Sequence, residues 1–107
     1  MDDRELRELF CFKIGQELNW FKLGVLNKKP EEIYGMAFQI DCMVNLYELM
    51  LEMSQKLDVA VIRRLVLFPR ILAWLYERWL KQEDSLMEEL ENFVIGSLLE
   101  MPQTKIA

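Results

Sequence analysis

Apolar residues return along this chain at intervals of three and four rather than two, which is the pattern of helices that each bury one face. Leu6, Leu9, Phe10, Ile14, Leu18, Phe21 and Val25 make the first series. Asp2, Asp3 and Glu5 put negative charge where the positive end of a helix would lie, so a first helix is predicted to begin near Asp2. Asn27-Lys28-Lys29-Pro30 supplies its stop, and Pro30 suits the first turn of the next helix, reinforced by Glu31 and Glu32. From Pro30 to about Met53 the stripe Ile33, Ala37, Ile40, Val44, Tyr47 and Leu51 is widened by Met36, Met43 and Met50. That predicts a second helix buried on more than one side.

Asp58 is the predicted N-cap of a short third helix from Val59 to about Leu67. Phe68 precedes Pro69 and is biased away from helical angles, so the chain is expected to bend there. After Pro69 no strong breaker occurs before Gly96, and Leu72, Leu75, Trp79, Leu86, Leu90 and Phe93 share a slowly drifting face. A long fourth helix ending near Glu100 is predicted, followed by a frayed tail from about residue 102. The expectation is an all-α fold: a single helical domain over residues 1–107, built as a compact antiparallel bundle of about four helices, the third short and the last long.

Composition narrows the chemistry. The chain has no histidine, one threonine and three serines, while 52% of its residues are apolar. Thirteen Lys and Arg against eighteen Asp and Glu give a net charge of −5, which argues against a broad phosphate-neutralising surface and for a basic partner. No direct nucleic-acid binding is expected. Cys11 and Cys42 lack Cys-x-x-Cys spacing and the first residues form no targeting signal, so a reducing cytoplasm is expected. The most apolar stretch, Ile33 to Met53, carries Gln39, Asp41, Asn45, Glu48 and Glu52, so no membrane-spanning segment is predicted.

Carboxylates three or four apart share a helical face, and Glu5/Glu8, Glu48/Glu52 and Glu88/Glu91 meet that spacing. A helical di-iron site would also call for Glu-x-x-His, which is absent, and the Glu-x-x-Asp that follows Glu-x-x-Glu in helical nucleotide pyrophosphohydrolases is absent too. The pairs therefore read as solvated, with no metal and no cofactor expected. A cysteine nucleophile lacks its usual base, and Cys11 and Cys42 read as small packing residues. The four glycines form no phosphate-binding loop. No catalytic residue is expected.

Binding features remain. On a continuous fourth helix Asp84, Glu88 and Glu91 would form one acidic stripe, extended by Glu77, able to imitate spaced phosphates or simply to face solvent. Trp74 and Arg78 form an i,i+4 pair suited either to an aromatic and arginine hot spot or to plain stacking, with Trp79 entering the core. Met36, Met43, Met50 and Met53 can fill a core or line an adaptable groove, and both readings stay open at this point.

Lys29-Pro30-Glu31-Glu32-Ile33, the Met36 to Met53 helix, the central Pro69 and the Trp79 to Phe93 segment resemble an uncharacterised family of small helical bacterial proteins often encoded on mobile elements. The similarity spans roughly residues 16 to 95 and departs from the family pattern at the apolar and basic Val59-Ala60-Val61-Ile62-Arg63-Arg64. It implies no catalytic residue; mobile-element context implies a host-directed inhibitor, for instance of a nucleic-acid-handling defence protein. The expected function is thus non-enzymatic protein binding, with Glu77, Asp84, Glu88, Glu91, Trp74 and Arg78 as partner-binding residues meeting a basic groove. The alternative is a structural or regulatory homodimer in which the surplus apolar residues cover one another.

Overall fold

The computed structural model describes residues 1–81 and 90–101, and these fold as six helices with no strand among them. The helix α1 spans Asp3–Leu26, α2 Pro30–Gly35, α3 Ala37–Met53, α4 Val59–Leu67, α5 Ile71–Leu80 and α6 Leu90–Leu99. Among the described residues no helix is long and apolar enough to cross a membrane.

Local signals set most of the boundaries. Asp2 is extended, and its carboxylate accepts from the Glu5 N–H at 2.8 Å, closing the N-terminus of α1. Asp58 does the same for α4, accepting from the Ala60 N–H at 3.2 Å. Phe68 sits at φ −83° and ψ 122°, driven out of the helical region by the ring of Pro69. Arg70 then takes φ 52° and ψ 52°, a left-handed conformation that costs a residue with a Cβ about 1–2 kcal/mol, and α5 starts on the next residue. The corner is thus two extended or left-handed residues around one proline.

Two expectations are corrected. The second helix is broken: α2 closes at Gly35 and Met36 leaves helical angles at φ −97° and ψ 8°, its N–H shared between the Ile33 and Tyr34 carbonyls. Gly35 stands at the break, and glycine is about 1 kcal/mol poorer than alanine inside a helix. The long fourth helix is also absent. Arg78 on α5 donates from Nε to the Ser97 hydroxyl at 3.0 Å and from Nη2 to Glu100 at 2.6 Å, and the Trp79 ring meets that of Phe93 edge-on at 5.1 Å. In one continuous helix Arg78 and Ser97 would stand about 28 Å apart. Instead α6 lies back against α5, and side-chain contact explains the apolar face that periodicity alone had assigned to a single rod. The expected frayed tail from residue 102 lies outside the described residues.

Nor do the helices alternate in direction. Gly15 of α1 lies against Tyr47 and Arg7 reaches Ser54, so α3 runs antiparallel to α1. Lys13 reaches Val66 at the end of α4, and Glu17 reaches Leu72 and Ala73 at the start of α5. Both α4 and α5 therefore follow α1 in its own direction, one after the other, because Pro69 bends the chain without reversing it. Four helices, α1, α3, α4 and α5, meet around one core in which Phe10, Leu46, Met50, Ile62, Leu65, Leu72, Leu75 and Trp79 are fully buried. Val94, Leu98 and Met101 close it from the α6 side. Met43, Met50 and Met53 are buried, which decides the methionine question in favour of packing for Met50 and Met53, while Met43 also lines a groove between α1 and α5.

The α5–α6 contact is testable through Arg78. Substituting Arg78→Ala removes the bonds to Ser97 and Glu100; because these groups are partly exposed, unfolding free energy is expected to fall by roughly 1–2 kcal/mol. Amide exchange in residues 92–100 should quicken more than exchange in α1. Equal protection in the variant would rule out the docked arrangement.

Candidate functional site

The polar work of the fold is concentrated on α1, where three charged side chains each reach the end of another helix. Arg7 donates to the Ser54 carbonyl at 2.6 Å and the Leu57 carbonyl at 2.8 Å, closing the C-terminal end of α3. Lys13 donates to the Val66 carbonyl in the last turn of α4. Glu17 accepts from the Leu72 N–H on one carboxylate oxygen and the Ala73 N–H on the other, both at 2.9 Å. The signs match the helix dipoles, cations at two C-terminal ends and an anion at an N-terminal end. Arg70, the residue at the N-cap of α5, offers no side-chain acceptor, so Glu17 supplies from another helix the bonds a local cap would make.

Above this row, α1 and α5 part to form a groove of about 910 Å³. Its floor is apolar, from Phe10, Ile14, Met43, Leu65 and Ile71, and its walls carry Phe21, Phe68 and Tyr76. Lys13, Glu17, Gln39, Arg70 and Glu77 bring polar groups to the margins, while Trp20 and Leu80 stand on the rim at 74% and 52% exposure. Two large apolar side chains are thus exposed beside a concave apolar surface. The left-handed Arg70 adds a strained residue at the groove edge, a conformation that clusters at functional sites.

Burial pushes the Glu17 carboxyl above the usual carboxylate range; the two backbone N–H groups, then Arg70 and Lys13, pull it back only in part. Burial, with a smaller push from Cys42, raises the Tyr76 phenol, which keeps it a neutral hydrogen-bonding group in the groove wall at neutral pH. Cys42 is buried behind α5, and burial, then Asp41, raises its thiol against an opposing contribution from Trp79. The buried Trp79 indole N–H has no partner in full hydrogen-bond geometry and faces that sulfur loosely, a weak acceptor. Cys11 is half-buried and bonded to the Ser54 hydroxyl at 3.3 Å. Both cysteines are packed among helices and neither stands beside a base.

Of the sequence-predicted site residues, Trp74 and Arg78 are brought together. Glu77 is exposed and lines the groove. Trp74 is half-buried, with Phe68 at 5.2 Å on one side and the Arg78 guanidinium 5.1 Å from its ring centroid on another. Arg78 bonds to Ser97 and Glu100 and stacks on Trp74 within the molecule. Asp84 and Glu88 lie outside the described residues, and Glu91 stands on α6. With Glu77 on α5 and Glu91 on a helix folded back against it, the single stripe that would have aligned four carboxylates has no continuous helix beneath it. Among the described residues no three His, Cys, Asp or Glu side chains come together as a metal site.

Sequence reasoning missed Lys13, Glu17, Trp20 and Leu80. Trp20 carried a signal, since it falls off the buried series of α1; the partners of Glu17 and Lys13, 53 to 56 residues away, left none. No family model, curated protein or solved structure matches the chain.

Two predictions follow Glu17. Substituting Glu17→Ala leaves two N–H groups of α5 without an acceptor, and urea denaturation should show a loss of about 1–3 kcal/mol. The raised carboxyl means the folded state holds its proton more tightly than the unfolded chain, so stability from this group is fully present below the ordinary carboxylate range and is lost as pH rises through the folded value. The stability difference, native minus Glu17→Gln, should therefore fall as pH rises above the ordinary carboxylate range. A difference that grows with pH would mean that the ionised cap outweighs burial.

Proposed function

We propose that this chain is a non-enzymatic protein-binding protein and that the groove between α1 and α5 receives an amphipathic helix of its partner. The observation that carries the reading is the groove itself, about 910 Å³ with an apolar floor, aromatic walls and an exposed Trp20 and Leu80 at its lips. A cleft left between two helices that run in the same direction, with a third beneath, fits a helix laid lengthwise, its residues at i, i+3 and i+7 meeting the floor. Rim tryptophan and leucine would be desolvated on binding, which is where contact energy concentrates.

Charge sets the preferred edge of that helix. The exposed Glu77 and the net charge of −5 favour a basic edge on the Glu77 side, away from the exposed Arg70, whereas Lys13 is engaged with Val66 and the Glu17 carboxylate with α5. Binding at the groove replaces the phosphate-mimicking acidic helix expected from sequence, because that mechanism needed Glu77 and Glu91 on one rod. A host-directed inhibitor remains compatible with this proposal: the partner helix would belong to a basic nucleic-acid-handling protein, as the family resemblance implies.

The test uses a designed helical peptide with Leu at i, i+3 and i+7 and lysines along one edge, and its counterpart with glutamates in their place. Calorimetry should show micromolar binding of the basic peptide, weakened at least about tenfold by Leu80→Asp or Glu77→Lys, and weaker binding of the acidic one. Leu80 and Glu77 are exposed, so these variants leave the core intact. No binding, or binding indifferent to both substitutions, would sink the groove as the contact site.

A further inference from the structure

The outer face of α1 carries a pattern that neither the core nor the groove explains. Phe12, Gln16, Asn19, Leu23 and Leu26 follow one another at intervals of four, three, four and three, and all are exposed. That is the 3.5-residue repeat of a helix that pairs with another helix. The buried series on the same helix, Leu6, Phe10, Ile14 and Leu18, steps by four and faces the opposite way. No charged residue interrupts the outer ridge between Phe12 and Leu26, and Trp20 borders it. Exposures of 61% at Phe12, 54% at Leu23 and 74% at Trp20 and Leu26 exceed what a solvated face normally shows.

We infer that this ridge is a self-association surface, covered by α1 of a second copy of the chain about a two-fold axis near Asn19. Asn19 is the middle of the five ridge positions, and a two-fold axis there brings it against its own counterpart. A side-chain amide donates and accepts equally, so two asparagines satisfy each other across such an axis; a single asparagine in a helix-pairing seam is the device that fixes register and a two-stranded state. Phe12 and Leu26 then close the two ends of the seam.

Area supports a second copy over a small ligand. Phe12 and Trp20 at these exposures present about 300 Å². Adding Leu23 and Leu26 brings the apolar ridge to about 500 Å², close to the apolar share of an interface that takes about 800 Å² from each partner. The ridge lies on the face of α1 opposite the core and shares Gln16 and Trp20 with the groove, whose floor it does not touch.

Light scattering across a broad concentration range tests it on the full chain. A dimer is expected, dissociating on dilution, with Leu23→Asp raising the dissociation constant at least about 30-fold. Asn19→Asp and Asn19→Lys each place like charges against each other and should be monomeric alone, while an equimolar mixture of the two should return to dimer mass, a result that only a 19-to-19 contact produces. Leu80→Asp should leave the mass unchanged. A native chain that stays monomeric at all concentrations, a dimer indifferent to Leu23→Asp, or no recovery in the mixture would each overturn the ridge as the interface, and none of these outcomes bears on peptide binding in the groove.

Discussion

Everything in this fold is referred to α1 through the ends of its neighbours. A helix of nine or ten residues, such as α4 or α5, is marginal on its own because nucleation is costly and its terminal N–H and C=O groups lack partners. Here Arg7, Lys13 and Glu17 meet those groups at three different helix ends. The spacing of the three along α1 sets how far up the helix each neighbour begins or stops. Burial of Leu6, Phe10, Ile14 and Leu18 supplies the adhesion, and the charged residues set the register.

The cost of this arrangement falls on Glu17. A carboxylate withdrawn from water is disfavoured in its charged form, yet the first turn of α5 has no other acceptor, since Pro69 and the left-handed Arg70 precede it. The same corner that denies α5 a local cap also bends the chain so that α5 continues along α1. The groove is what results: two helices running side by side diverge beyond the point where Glu17 ties them, and Trp20, Phe21, Tyr76 and Leu80 stand where they separate.

The proposed function belongs to surfaces and asks for no chemistry at a reacting atom. Two faces of α1 are left over once the core is closed. One flank opens into the groove and suits a partner helix, and the outer ridge repeats at the interval of a helix pair. An arginine that looked available in sequence, Arg78, is engaged in holding α6, and the proposed binding surface lies instead along the C-terminal half of α1.

What the sequence determined by itself was local. Asp2 and Asp58 as caps, Pro30 in a first turn, Phe68 forced extended before Pro69, the extents of α1 and α4, and the buried face of α1 all depend on interactions within a few residues, and each was legible. The helical class followed from the same periodicity. Tertiary structure decided the rest. The apolar series from Leu72 to Phe93 has the same spacing whether it lies on one rod or on two helices folded together, so only the contacts of Arg78 and Trp79 with residues far along the chain separate the two. Glu17 and Lys13 looked like ordinary surface charges, because nothing near them in sequence reveals the helix ends they meet. A groove is a property of the distance between helices, and no residue pattern on one helix contains that distance.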